Sequence, residues 1–283
     1  MTIRDIHAKH AAGKPIVMLT AHDYLSATLA ERVAGVDIVL VGDSLAMVAC
    51  GYASTAELGI DEMLYHCRSV SRGSKTALRV GDLTFGTYER STEQAIDTSV
   101  RMIREGGMEA IKLEGGLEHA DAIARLTSIG IPVMGHVGLT PQRQAALSGY
   151  RVQGKTAASA MGILRDALAV QRAGAFSIVL EAMPAQLGQL VTSKLRIPTI
   201  GIGAGSDCDG QVLVQLDLLG AYDRSPPRFV KRYAEIGADS TRAIEQYAAE
   251  VSARQFPTPA FSYPIGETEW AEVVEAVERV AGD

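Results

Sequence analysis

The stretch Leu164-Arg-Asp-Ala-Leu-Ala-Val-Gln-Arg-Ala-Gly-Ala-Phe-Ser-Ile-Val-Leu-Glu181 contains one complete structural unit of the chain. Its first ten residues carry apolar side chains at helical spacing and are followed by Gly174, and a glycine just past the last turn typically ends a helix. The run from Ser177 to Leu180 does not alternate between apolar and polar residues, which is typical of a parallel strand buried on both faces. The stretch therefore predicts a helix, a tight turn and a buried strand that leads to the acid Glu181.

The same unit recurs along the chain at intervals of about 30 residues, as a repeated βα fold requires. Strands are predicted at Ile16–Thr20, Asp37–Val41, Ala77–Val80, Ala110–Leu113, Pro132–Gly135, Ser177–Leu180 and Pro198–Ile202, with an eighth at 210–214. The helix before the eighth strand is missing or very short. These units predict a TIM-type (β/α)8 barrel. No linker divides the chain, so residues 1–283 are predicted as one domain that includes a helical C-terminal extension over 226–283.

Composition and charge exclude several classes of protein. The 283 residues carry a net charge of −6 and no basic stripe, which argues against nucleic-acid binding. Three scattered cysteines do not form a disulfide framework, which fits a reducing compartment. The apolar runs are too short to span a membrane, and the N-terminus lacks the apolar segment of a secretory signal. We therefore expect a cytoplasmic protein, or a mitochondrial one if the source is a eukaryote.

Polar side chains follow the predicted strands at the end where barrel enzymes have their active sites. They are Asp43, Asp82, Lys112, Glu114, His136 and Glu181. A single strand-end aspartate is ordinarily a helix cap or turn former, and this interpretation is preferred for Asp23. Several acids converging on one barrel mouth would repel one another unless a cation lay among them. Oxygen ligands favour Mg²⁺ or Mn²⁺. His136 has a structural interpretation as well, because it lies within a strand.

Glycines follow the seventh strand in Gly201-Ile-Gly203-Ala-Gly205. This spacing does not match the dinucleotide-binding fingerprint, and no helix clearly follows it. We predict instead that these glycines let a substrate approach the backbone.

Five segments of the chain stand out as motifs. They are Val41-Gly-Asp-Ser-Leu, Val80-Gly-Asp-Leu, Ile111-Lys-Leu-Glu-Gly-Gly, Gly135-His-Val-Gly-Leu-Thr-Pro-Gln and Ile200-Gly-Ile-Gly-Ala-Gly. Together they resemble the ketopantoate hydroxymethyltransferase family. The resemblance runs in order from about Ile16 to about Ser262. It implies a barrel related to the phosphoenolpyruvate/pyruvate group. It also implies transfer of a one-carbon unit from 5,10-methylenetetrahydrofolate to 3-methyl-2-oxobutanoate, which gives 2-dehydropantoate for pantothenate biosynthesis.

The resemblance also implies roles for individual residues. Asp43 and Asp82 would bind Mg²⁺, with Glu114 completing the site. Ser44, Lys112 and His136 would lie on the substrate together with Asp82, and Glu181 would be the general base. Homo-oligomers, commonly decamers, are implied too.

The sequence departs from the family pattern at Ala53 and Thr84, near the substrate loops, and its tail beyond Ser262 is longer than usual. These departures leave open a metal-dependent aldolase or lyase that acts on a different 2-oxo acid. A third possibility is an inactive paralogue retained as a structural or regulatory partner. The retained acids and lysine argue against it.

Overall fold

The computed structural model describes residues 1–222 and 226–281, and within them eight parallel strands close into a barrel. The strands are β1 (Ile16–Thr20), β2 (Ile38–Val41), β3 (Leu78–Asp82), β4 (Ala110–Lys112), β5 (Val133–Gly138), β6 (Ser177–Glu181), β7 (Thr199–Ile202) and β8 (Gly210–Leu213). Each strand pairs with the next in sequence, and β8 pairs with β1 to close the ring. The predicted barrel is confirmed, including its eighth strand.

Helices connect most of the strands. They are α1 (Ile3–Ala11), α2 (Tyr24–Glu31), α3 (Leu45–Val48), α4 (Ile60–Gly73), α5 (Thr92–Arg104), α6 (Ala120–Ser128), α7 (Ala157–Arg172), α8 (Ala185–Lys194), α9 (Gln215–Leu218), α10 (Ile236–Ser252) and α11 (Glu267–Ala281). Only a turn joins β7 to β8, as predicted. Asp23 caps α2 by accepting a 2.7 Å hydrogen bond from the backbone of Ser26, so its interpretation as a helix cap is confirmed. In the described part of the chain, no helix is long and apolar enough to cross a membrane.

The apolar residues of the strands divide between two cores because side chains alternate across a strand. One set, including Ile38, Leu40 and Val80, fills the barrel interior, and Ile6 of α1 belongs to the same cluster. The other set, including Val39 and Val41, packs between the strands and the surrounding helices. This alternation decides which later residues of each strand point into the barrel.

Three strands extend further than the sequence predicts. β3, β5 and β6 were predicted to end at Val80, Gly135 and Leu180, before their polar residues, but they continue to Asp82, Gly138 and Glu181. The reason is that backbone pairing with the neighbouring strands continues regardless of side-chain polarity. The polar residues are therefore held on the rigid barrel wall.

The described residues fall into two compact units, the barrel with residues 1–220 and 226–234, and a second unit with residues 221–222 and 235–281. The second unit contains α10 and α11, whose residues are all solvent-exposed or partly exposed. The helical extension was predicted to begin at Pro226, but its first helix begins at Ile236, since prolines 226 and 227 lack the N–H that a helix interior needs. Membership of 226–283 in the barrel domain stays a prediction.

Candidate active site

Alternation along the strands brings the sequence-predicted side chains together at one mouth of the barrel. Val80, Ala110, Met134 and Val179 belong to the interior core. The residues two positions further along these strands are therefore directed inward as well, at the carboxyl ends. They are Asp82, Lys112, His136 and Glu181. Asp82 and Lys112 are register partners on neighbouring strands, so their side chains lie side by side.

Lys112 and Asp82 form a buried ion pair. The Lys112 Nζ donates to both carboxylate oxygens of Asp82, at 2.7 and 2.6 Å, and the two residues are 4% and 1% exposed. The backbone N–H of Asp43 lies 3.4 Å from one of the same oxygens. Burial and the nearby Asp43 raise the pKa of Asp82 to about 7, although the Lys112 ammonium works in the opposite direction.

The barrel mouth holds more buried negative groups than positive ones. Asp43, Asp82 and Glu114 are each 5% exposed or less, and Lys112 is the buried ammonium among them. Burial, followed by repulsion from Asp43, raises the pKa of Glu114 well above its ordinary value. Burial alone would lower the pKa of Lys112, but the surrounding carboxylates outweigh it and raise that pKa. An additional cation would favour the ionised forms of these carboxyl groups, which outnumber the one ammonium.

His136 lies between two of the acids. Its Nε2 is 3.2 Å from Oε2 of Glu181, and its Nδ1 is 3.6 Å from Oε1 of Glu114. Burial and the Lys112 charge lower the pKa of His136, which favours a neutral ring at pH 7. Neither ring nitrogen makes a well-oriented hydrogen bond, and Oε1 of Glu114 has no hydrogen-bond partner either. Buried polar atoms normally have a partner, so a ligand that bonds to these three atoms would be bound favourably.

Two buried residues that the sequence analysis did not single out complete the cluster. Gln142 lies in a 3₁₀ turn, Pro141–Arg143, directly after β5, and is 4% exposed. Its side chain contacts Asp43, and its backbone contacts Glu114. The hydroxyl of Tyr88 lies 2.7 Å from Oε1 of Gln142. Gln142 falls within the segment Gly135–Gln142 that carries the family resemblance, which is the signal that could have identified it.

The remaining sequence-predicted residue is Ser44, at the edge of this cluster. Ser44 is partly buried beside Asp43 and lines a cleft with Thr20, His22 and Val214, at the ends of β1, β2 and β8. Tyr150, on the loop before α7, was not predicted as a site residue, but its hydroxyl lies 3.4 Å from the sulfur of Met47 and the acids of the site act on its phenol. Burial raises the pKa of its phenol, and the charges of Asp43, Glu114 and Glu181 raise it further.

The glycines after β7 serve internal packing. A Cβ at Gly203 would lie 2.6 Å from the ring of Phe229, and one at Gly205 would lie 2.7 Å from the Cβ of Ala185. Both positions also have positive φ, 67° and 92°. Phe229 and Ala185 therefore explain why glycine is needed at these two positions, and the approach of a substrate to this backbone stays a prediction.

The donor set of the mouth fits a hard divalent cation held by few protein atoms. Across residues 1–222 and 226–281, no three His, Cys, Asp or Glu side chains form a ready-made metal cage. Mg²⁺ does not need one, because it commonly uses one or two carboxylates and completes its shell with water and substrate oxygens. The surplus negative charge and the unpartnered Oε1 of Glu114 suit such a cation. Asp82 would have to share an oxygen with Lys112 to take part.

The fold and the family were compared with known proteins. The barrel resembles phosphonopyruvate hydrolase, solved in complex with oxalate and Mg²⁺, with a TM-score of 0.58 and 15% identity over 100% of this chain and 99% of that one. It also resembles 2,3-dimethylmalate lyase, of the PEP mutase/isocitrate lyase superfamily, with a TM-score of 0.54 and 15% identity over 100% and 98% of the two chains. At this identity the likeness concerns the fold, and the expected phosphoenolpyruvate/pyruvate-like barrel is confirmed.

The relatives in sequence are far more similar. The 3-methyl-2-oxobutanoate hydroxymethyltransferase of Emericella nidulans is 52% identical over 99% of this chain and 79% of its own length. That of Chloroflexus aurantiacus (strain ATCC 29366 / DSM 635 / J-10-fl) is 52% identical over 99% and 98%. The Arabidopsis thaliana protein named 3-methyl-2-oxobutanoate hydroxymethyltransferase 1, mitochondrial, is 47% identical over 100% and 83%. Since the Chloroflexus match covers nearly both whole chains, the expectation of an unusually long tail is wrong.

A family model described as ketopantoate hydroxymethyltransferase matches residues 1–259. This match covers the whole barrel, including every strand that contributes to the mouth. The chain belongs to the ketopantoate hydroxymethyltransferase family.

Proposed function

We propose that this protein transfers a hydroxymethyl group from 5,10-methylenetetrahydrofolate to 3-methyl-2-oxobutanoate and forms 2-dehydropantoate for pantothenate biosynthesis. Family membership supports the reaction. The observation that carries the chemistry is the buried mouth in which Asp43, Asp82 and Glu114 outnumber Lys112, with Glu181 beside them. Such a mouth can bind a cation and a small anion together.

The first step is the removal of the proton from C3 of the keto acid. We assign this to Glu181, whose side chain is 14% exposed and is therefore more accessible to substrate than the other acids. The pair of electrons from the C–H bond moves into an enolate whose negative charge lies on the 2-oxo oxygen. Oε2 of Glu181 lies 3.2 Å from Nε2 of His136, so the ring is next to the carboxylate that accepts the proton.

Stabilising the enolate is the task of the positive groups in the mouth. Lys112 is held in place by Asp82 and places an ammonium in a region of low dielectric, where it acts strongly on developing negative charge. When bound, Mg²⁺ supplies a Lewis acid for the oxygens of the 2-oxo acid, which is worth several kcal/mol. We propose that Asp43, Asp82 and Glu114 hold it. Ser44, Asp82, Lys112 and His136 would hold the substrate.

The second step forms the new carbon–carbon bond. C3 of the enolate attacks the methylene carbon supplied by the folate, and tetrahydrofolate departs with its carbon–nitrogen bonds broken. Water supplies the hydroxyl oxygen of the product and the two protons taken up by the folate nitrogens, and the new hydroxyl takes the proton that Glu181 removed from C3. The mouth must therefore admit the one-carbon donor and one water molecule while it keeps other water from protonating the enolate.

The test is an assay for 2-dehydropantoate with purified protein, 3-methyl-2-oxobutanoate, methylenetetrahydrofolate and Mg²⁺. Product is expected with all components and should be lost when a chelator is added, then return with excess Mg²⁺. Turnover of a different 2-oxo acid with an aldehyde and no folate would instead favour the aldolase or lyase alternative. Absence of both activities in a protein that binds Mg²⁺ would contradict the proposal.

We also propose that the protein acts as a cytoplasmic homo-oligomer, a decamer by resemblance to its family. Trp270, Val273 and Val277 on α11 are each more than 40% exposed, and exposed apolar residues of this kind are suited to subunit contacts. Light scattering coupled to gel filtration tests the oligomer, and fractionation of the source cells tests the compartment.

A further inference from the structure

Gln142 makes contacts at both its side chain and its backbone that no role in the reaction described above explains. Its side chain is buried at the barrel mouth, 99 residues from Asp43 along the sequence and yet in hydrogen-bond contact with it. Burying an amide is unfavourable unless all its groups are paired. In Gln142 they are paired, and two of the partners are acids of the candidate site.

The orientation of the Gln142 amide is fixed by its partners. Nε2 donates to Oδ2 of Asp43 at 2.9 Å and to the backbone oxygen of Leu83 at 2.8 Å. Oε1 accepts from the hydroxyl of Tyr88 at 2.7 Å. A carboxylate and a carbonyl can only accept, so the nitrogen has to face them. Leu83 and Tyr88 thus hold the amide in the position from which it contacts Asp43.

The backbone of the same residue holds a second acid. The N–H of Gln142 donates to Oε2 of Glu114 at 3.1 Å. The other oxygen of that carboxylate, Oε1, is buried without a hydrogen-bond partner. Gln142 therefore occupies one oxygen on each of two acids and leaves Oδ1 of Asp43 and Oε1 of Glu114 outside its own contacts.

We propose that Gln142 is a positioning residue that makes Asp43 and Glu114 each present a single oxygen to the divalent cation. This inference rests on the proposed function, in which these acids bind Mg²⁺. A carboxylate with one oxygen engaged by a donor cannot readily turn to bind a cation through both oxygens. Mg²⁺ accepts such single-oxygen ligands in its octahedral shell, whereas the larger Ca²⁺ often takes carboxylates through both oxygens. Gln142 thereby favours the smaller ion.

The experiment compares cation affinities, measured by calorimetry with Mg²⁺ or Ca²⁺ alone, for the unaltered protein and the Gln142→Leu variant. Leucine removes the contacts to Asp43 and Leu83 but keeps the backbone N–H for Glu114. The dissociation constant of Mg²⁺ is expected to rise about 10-fold or more, as for other residues that orient metal ligands. That of Ca²⁺ should rise much less, so the preference for Mg²⁺ over Ca²⁺ falls.

Gln215→Leu is the matched control, because Gln215 is also a buried glutamine, at 3% exposure, whose Nε2 donates to the backbone oxygen of Ser26. It should lower the melting temperature and leave the ratio of the two affinities unchanged. If Gln142→Leu does not fold, Tyr88→Phe removes the hydroxyl that holds the amide and should shift the same ratio in the same direction, by a smaller factor.

Two outcomes would overturn the inference about Gln142 and leave the proposed function standing. One is a folded Gln142→Leu, or Tyr88→Phe in its place, with unchanged affinities for both cations. The other is an equal loss of affinity for both, which would indicate a purely structural role. Failure of the unaltered protein to bind Mg²⁺, with or without keto acid, would overturn the proposed metal role and the inference with it.

Discussion

The ammonium of Lys112 donates to both carboxylate oxygens of Asp82, at 2.7 and 2.6 Å, and both side chains are buried in the barrel mouth. The register of β3 and β4 creates this pair, because the two residues are direct neighbours in the sheet. The pair has a structural consequence and a chemical one. It keeps the ammonium where an enolate would need it, and it partly neutralises a carboxylate next to Asp43.

Removing the ammonium should destabilise the fold. In Lys112→Met, the buried Asp82 loses the ammonium that lowers its pKa, so it must either stay charged beside Asp43 or take up a proton from solvent. Breaking a buried pair in this way costs about 3–5 kcal/mol. We expect that loss in the free energy of unfolding, measured with urea above neutral pH without divalent cations. Adding Asp82→Asn should restore much of it, because the unpaired charge is gone. If the double variant is no more stable than Lys112→Met, the unpaired carboxyl of Asp82 is not the cause of the loss.

The raised pKa of Asp82 predicts how stability depends on pH in the absence of a cation. Its pKa is about 7 in the folded protein against an ordinary 3.8, so the folded state binds more protons than the unfolded state between these values. The contribution of Asp82 to stability is therefore present at low pH and is lost as pH rises through about 7. The unaltered protein should therefore lose stability relative to Asp82→Asn as pH rises from 3.8 to about 7, because asparagine does not titrate. A difference independent of pH would contradict this.

Binding of Mg²⁺ should release protons for the same reason. At pH values near or below the pKa of about 7, some of the Asp82 carboxyls are protonated before the cation binds. Calorimetric titrations in two buffers with different ionisation enthalpies should give different apparent enthalpies, and the difference should become smaller as pH rises through about 7. Equal enthalpies at acidic pH would indicate that the cation displaces no proton.

Glu181→Gln should abolish proton removal while it preserves the fold. We expect exchange of the C3 hydrogen of 3-methyl-2-oxobutanoate for deuterium, followed by NMR with Mg²⁺ and no folate, to slow by about 10²- to 10⁴-fold. Glu109→Gln is the control, since Glu109 lies beside Arg79 at the opposite end of β4. Normal exchange in Glu181→Gln would exclude Glu181 as the base.

Thr84→Val should stabilise the protein. Thr84 is completely buried, and its hydroxyl has no hydrogen-bond partner. Valine has nearly the same shape and removes the buried hydroxyl, which is expected to raise the free energy of unfolding by about 1–3 kcal/mol. Thermal unfolding measures the effect.

Assays of Thr84→Val with several 2-oxo acids test whether this position also affects substrate choice. An unchanged order of preference among the acids would show that Thr84 affects stability alone.

The barrel could be predicted from sequence because its signals are local. Continuous apolar runs such as that from Ile38 to Val41 indicate buried parallel strands, and glycines such as Gly174 end the helices. The strand ends were less predictable. Polar residues such as Asp82 were interpreted as lying just after the strands, although backbone pairing carries the strand through them.

The acids of the site could be predicted because each lies at or just after the end of a strand. The residues that hold these acids in place could not be predicted. Gln142 and Tyr88 are in irregular segments, and their contacts join residues that are distant in sequence. No spacing along the chain encodes a contact such as that between Gln142 and Asp43, because the barrel's closure alone brings them together. The packing of Phe229 on Gly203 was missed for the same reason.

The order in which the strands appear along the chain has a consequence for assembly. Every acid, the lysine and the histidine of the mouth belong to β2 through β6 or to the residues directly after them, whereas the ring closes by pairing β1 with β8. That final pairing joins Ile16 to Gly210 and therefore encloses the longest loop of any strand pair in the barrel. During synthesis, all the chemical groups of the mouth are made before the strand that seals the wall. Substitutions in β8 should therefore slow the completion of folding and leave the mouth's own contacts intact.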